Sequence, residues 1–134
     1  MTGPVLKDET GAQRLLGYML DLSDPAQGTV TLTVLPEHTN RTGRLHGGIV
    51  AALLDSAMGG AASLAWDDGG HYPVVTISMT VNYIASGAEG EHLTATGHVT
   101  GGGRKIKFCD GRLEAKGGRL IATATGTFKS VAPR

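Results

Sequence analysis

The chain has 134 residues, 40% of them hydrophobic, and its 12 Lys and Arg balance its 12 Asp and Glu to a formal net charge of zero. That length holds one domain with a real core and is short for two. Zero net charge removes the broad basic surface that nucleic acid or an anionic membrane would require.

Residues 1 to 14 read as a loose or weakly helical lead-in, with no periodicity over residues 1 to 12 and none of the charged head, apolar run and cleavage site of a secretory signal. The first strand is expected from Leu16 to Leu22, ended by Ser23-Asp24-Pro25. Thr29 to Val34 alternates hydroxyl and aliphatic side chains and should pair with it as a hairpin. Pro36 to Arg44 is a polar loop containing His38, Asn40, Arg41 and Arg44.

From about Gly47 to Trp66 the residues are apolar or small on every side, the pattern of a helix enclosed by protein. Asp55 and several glycines interrupt it, which argues against a membrane span, and Asp67-Asp68-Gly69-Gly70 stops it. Four strands should follow, over Pro73 to Ala85, Glu91 to Thr100, Arg104 to Ala115 and Arg119 to Phe128. Period-two sets such as Leu93/Ala95/Gly97/Val99 and short Gly-rich links suggest an antiparallel meander. Strands around one long apolar helix give a sheet curled about that helix, an α+β architecture. No repeat, low-complexity segment or linker is visible.

Two features of the helix suggest chemistry. Asp55 is a lone carboxylate in apolar surroundings, which is costly without a partner or a task. His46-Gly47-Gly48 opens the helix without bulky side chains, so backbone N–H groups at the positive end of the helix dipole can meet an oxygen carrying negative charge. Gly47 and Asp55 are eight positions apart, roughly 12 Å along the axis at about 1.5 Å per residue. Two groups that far apart meet on one substrate atom only if they come from two copies of the helix, antiparallel across a two-fold axis.

These residues resemble the hotdog-fold acyl-CoA thioesterases of the phenylacetate-degradation (PaaI) type. The match runs through Asn40, Leu45-His46-Gly47-Gly48, Asp55, the strand Val75 to Tyr83 and the closing run Gly118 to Phe128, and covers nearly the whole chain as a single hotdog domain. The resemblance implies that Asp55 acts as nucleophile or general base on a thioester. It also implies that the Gly47 N–H and the Asn40 side-chain amide polarise its carbonyl and that Thr76 orients the reacting group. The pair of subunits would be the working unit, often stacked into a tetramer, and aromatic or medium-chain acyl groups would be substrates. Thiolate is a good leaving group, so the main demand is charge stabilisation on the carbonyl oxygen.

His46 has a ring suited to general-base work, but positioning of the loop is its expected role. Gly48 lies beside the substrate, and pocket width near Met58, Ala62 and Tyr83 would set acyl preference. Gly103-Arg104-Lys105 and the pair Arg41/Arg44 are candidates for the CoA phosphates. Gly-Gly-Gly-Arg-Lys lacks the spacing of a nucleotide-triphosphate loop. The five histidines, His38, His46, His71, His92 and His98, fall in different elements without metal-ligand spacing, and no Ser sits in a nucleophile elbow. No cofactor or metal is therefore expected. The single cysteine, Cys109, is expected to be a small buried apolar residue, and with it a reducing, cytoplasmic setting. Two rivals carry different chemistry: a non-catalytic acyl-CoA or fatty-acid binder of the same fold, and a hotdog hydratase or dehydratase with an acid-base His facing Asp55.

Overall fold

The computed structural model describes residues 3 to 131. Its longest helix, α2, spans Gly47–Trp66, as the pattern of small and apolar residues predicts. His46 caps the start: its Nδ1 accepts the Gly48 N–H at 2.8 Å. At the far end the Asp67 carboxylate accepts the N–H groups of Gly69 and His71, turning the chain away. By length and composition α2 could cross a bilayer, but Val50, Leu53, Leu54, Ala57, Met58 and Ala62 are all buried against this chain's own sheet.

That sheet has seven antiparallel strands: β1 (Val5–Leu6), β2 (Met19–Asp21), β3 (Gly28–Thr33), β4 (Val74–Tyr83), β5 (His92–Gly102), β6 (Ile106–Ala115) and β7 (Arg119–Ser130). Alternation works as read from the sequence. Leu93, Ala95 and Gly97 of β5 and Cys109, Gly111 and Leu113 of β6 face the helix, while Thr94, Thr96, Asp110 and Arg112 face outward.

The strand order is β1-β2-β3-β5-β6-β7-β4. Only β5, β6 and β7 form the expected meander. β4 follows β3 in the chain yet pairs with β7 at the opposite edge, because α2 lies between them as a crossover that carries the chain over the sheet.

The N-terminal region also corrects the sequence reading. A short helix α1, Gly11–Leu16, occupies the start of the expected Leu16–Leu22 strand. Thr10 caps it by accepting the Gln13 N–H, and Gly17, with φ of 82°, ends it in the left-handed conformation. The lead-in is tied down as well, since Val5 and Leu6 pair with Asp21 and Leu20. Gln13 is only 2% exposed, and its side chain bonds Leu6 O, Tyr18 O and Glu9 N. Buried polar groups persist only when partnered in this way.

What lets the helix lie so close is a row of small residues across the sheet: Gly28, Gly97, Gly111 and Ala124, each opposite the next. A Cβ on Gly28 or Gly97 would stand 2.3 or 2.6 Å from the Ala57 carbonyl oxygen, inside contact distance. Cys109 is buried on the same face, its S–H 3.6 Å from Met58 O, and burial pushes the thiol up to about 11. It is an apolar core residue with no thiolate character near neutral pH.

Gly97→Val should therefore cost about 1–3 kcal/mol by overpacking, read as a lower urea midpoint at unchanged slope. Gly103→Ala, whose added methyl meets nothing within 4 Å, should leave the midpoint unchanged. Equal midpoints for Gly97→Val and the parent would refute the close-contact role of that row.

Candidate active site

Asp55 sits half-buried on the side of α2 that meets β4 at the edge of the sheet. Thr76 Oγ1 on β4 donates to Asp55 Oδ1 at 2.6 Å. The pairing of β4 with β7 shifts between Thr76 and Ser78, so Ile77 is an extra residue there. Such bulges re-aim a side chain out of strict alternation, and this one lies beside the hydroxyl that meets the helix. One carboxylate oxygen is thus fixed. The other has no hydrogen-bond partner among the described residues.

Asp55 opens into a cleft of about 440 Å³. Ser56, Gly59 and Gly60 continue the helix wall, Tyr18 and Leu22 come from the N-terminal region, and Phe128 comes from β7. Sequence reasoning missed Tyr18, Ser56 and the whole N-terminal wall. The Thr10 and Gly17 caps were the available signal for a structured segment there.

At the helix start the donors are sorted by the cap. Gly48 N–H is consumed by the His46 ring, while the His46 carbonyl accepts from Ile49 and Val50. Among the described residues, none accepts the Gly47 N–H, which makes it the donor left for an incoming oxygen. Gly48 is consequently no donor to a ligand, and the same bond holds the His46 ring at the helix start. Tyr83 Oη donates to Gly47 O at 2.7 Å, and its ring lies over Gly47.

Gly47 and Tyr83 line a second cleft of about 320 Å³ with Leu45, Val50, Ile84 and Gly87. Its outer wall is clamped by Arg119, which donates to Ser86 O and to the Glu91 carboxylate. The Arg119 guanidinium, with the Ala88 N–H, holds the Glu91 carboxyl below its ordinary range. The two clefts share no lining residue. Within one chain, the carboxylate and the bare N–H do not face a common space.

Asn40 lies in the exposed loop before α2. Its Oδ1 accepts from Thr42 N, Thr42 Oγ1 and Arg44 N, which orients the amide with its NH₂ outward as a donor. Gly103, Arg104 and Lys105 form the turn between β5 and β6, at the other end of the helix, where Trp66 Nε1 donates to Arg104 O at 2.7 Å. That end is roughly 16 Å along the axis from Asp55 at about 1.5 Å per residue. Arg41 and Arg44 are exposed in the Asn40 loop, near the Gly47 end. Met58 and Ala62 are fully buried and line neither cleft. They project toward the sheet, one and two turns of the buried stripe, so pocket width falls to other residues. Among the described residues, no group of three His, Cys, Asp or Glu is placed to hold a metal ion.

Comparison with known proteins bears on the family and the fold. Residues 42–122 match the family model described as the thioesterase superfamily. Human acyl-coenzyme A thioesterase 13 is 35% identical over 117 residues, 86% of this chain and 81% of that protein. The structure of the PaaI protein of the Escherichia coli phenylacetic acid degradation operon overlays with a TM-score of 0.79 at 21% identity, covering 93% of this chain and 87% of that one. A Streptococcus mutans protein solved with acetyl CoA bound gives 0.69 at 27% identity, over 81% and 84% of the two chains. With a sheet wrapped around one long helix and a matched segment that includes Gly47, Asp55 and Thr76, the chain belongs to the thioesterase superfamily, in its hotdog-fold form.

Proposed function

We propose that this protein is an acyl-CoA thioesterase whose site is completed by a second copy of the chain. The observation that carries the reading is the Asp55–Thr76 hydrogen bond, which leaves one carboxylate oxygen without a protein partner at the mouth of a cleft. An ionised carboxylate held this way can take the proton of an attacking water or attack the thioester carbon itself. In either route the C–S bond breaks, CoA leaves as a thiolate that takes up a proton, and the acid is released. The His46 ring is committed to the helix cap, which disfavours the hydratase alternative.

Charge on the carbonyl oxygen is met by the Gly47 N–H and the Asn40 amide. Because Gly47 lies in a different cleft from Asp55 of its own chain, these donors come from the partner. Support for such a pair lies along β4, an edge strand that leaves Val75, Ile77 and Tyr83 about half exposed, as is Ile84 just beyond it. A long apolar edge is a template for pairing with another chain, and a two-fold copy would bring α2 antiparallel to itself. Two such pairs stacked give a tetramer. Aromatic or medium-chain acyl groups fit the apolar walls, and Arg104 and Lys105 or Arg41 and Arg44 would meet the CoA phosphates.

Asp55→Asn keeps shape and removes charge. It should lower kcat by about 10²–10⁴-fold with the oligomer intact, measured by free-thiol release from a panel of acyl-CoAs; unchanged turnover would reject the assignment. Thr76→Val should lower kcat by about tenfold, the worth of one positioning hydrogen bond, with KM little changed, and a parental kcat would return Thr76 to a structural role.

A further inference from the structure

His38 is a buried titratable side chain that lines neither cleft. It ends a single 3₁₀ turn, Pro36–His38, between β3 and the Asn40 loop, and is only 3% exposed. Its Nδ1 accepts the Leu35 N–H at 2.9 Å, and its Nε2 lies 2.7 Å from Leu16 O. Leu35 offers only a proton there and Leu16 only a carbonyl, so the ring is neutral and carries its hydrogen on Nε2. Leu16 is the last residue of α1, where carbonyls lack partners within the helix. The ring thus joins the N-terminal segment to the loop that leads into α2.

That loop is rigid in itself. Asn40 N–H donates to Arg44 O at 2.7 Å and Gly43 N–H to Asn40 O at 2.9 Å, Thr39 bridges Leu45, and the Asn40 side chain accepts three further bonds inside the loop. A unit bonded this way moves as one body, and its place is set at its two feet. One foot is Leu45, buried and bonded through its N–H to Gly87 O at 3.0 Å. The other is His38, whose carbonyl also accepts the His46 N–H at 2.8 Å. Asn40 stands two residues beyond that second foot.

We infer that the His38 ring, through its Nε2–H bond to Leu16 O, is a positioning residue for the Asn40 amide. This rests on the thioesterase reading with Asn40 as a donor to the thioester carbonyl. Such a donor acts on charge that develops in the transition state, so displacing it lowers kcat and leaves KM nearly unchanged. A shift of about 1 Å in a positioned group is enough to cost up to about 10²-fold.

Two substitutions separate the two bonds of the ring. His38→Gln puts an amide N–H where Nε2 stands and keeps the Leu16 bond; His38→Asn puts an amide oxygen where Nδ1 stands, keeps the Leu35 bond and loses Leu16. Rates are read as free-thiol release from a panel of acyl-CoAs, on protein shown to be folded by circular dichroism. His38→Asn should lower kcat about tenfold with KM within about twofold, and His38→Gln should recover kcat to within about threefold of the parent. Asn40→Ala alone should lower kcat about 10²-fold. Adding His38→Asn to it should cost less than about twofold more, because the group that the ring positions is already gone. A parental kcat in His38→Asn, a larger loss in His38→Gln, or the full loss repeated on top of Asn40→Ala overturns the inference. If His38→Asn fails to fold, the His38→Gln rate decides alone by the same limit. No turnover by the parent protein defeats the thioesterase reading and the inference with it. A parental kcat in Asn40→Ala defeats the donor role and the inference but leaves hydrolysis standing, so the failures are distinguishable.

Discussion

A helix advances about 1.5 Å per residue, and that fixed rise governs the organisation of this protein. Asp55 and the Gly47 N–H ride on the same rigid element, held apart along its axis and opening into different clefts. No rotamer change can bring them together, because the separation lies in backbone hydrogen bonds. In the proposed dimer the same rigidity becomes an advantage. Each helix presents a carboxylate and a donor at a constant spacing, and a two-fold axis places one opposite the other twice.

The sheet exists to hold that helix in place. Gly28, Gly97 and Gly111 let it come into contact with strand backbone at Ala57 and Met58, so its rotation is fixed by packing as well as by its cap. With Leu54, Ala57 and Met58 turned to the middle of the sheet, Asp55, Ser56 and Gly59 lie on the adjoining side of the helix, against β4, Tyr18 and Phe128. The bulge at Ile77 then aims the Thr76 hydroxyl at Asp55. Secondary structure thus sets the position of the carboxylate, and one irregularity in a strand sets its orientation.

The helix bounds, the lone acid and the hydroxyl beside it were legible from residue pattern and family resemblance, because burial and spacing leave direct marks on sequence. The order of β4 was not. Both edges of a sheet look alike in a period-two pattern, and only the crossover of α2 decides which edge β4 takes. The N-terminal wall was missed for a different reason. It is built from one short helix, two very short strands and a single buried Gln13, each too brief to establish a period. Met58 and Ala62 were misplaced because a helix apolar on all sides does not reveal which side meets the sheet.

The most direct test of a site shared between chains uses two lesions on opposite sides of it. Asp55→Asn removes the carboxylate, and Gly47→Pro removes the N–H at the first helical position, where proline is tolerated. Each variant alone should be nearly inactive. When the two are mixed and allowed to exchange subunits, half the dimers are mixed, each with one intact site, so free-thiol release should recover to about one quarter of the parental rate. No recovery from subunits shown to have exchanged would mean that each chain carries its own complete site.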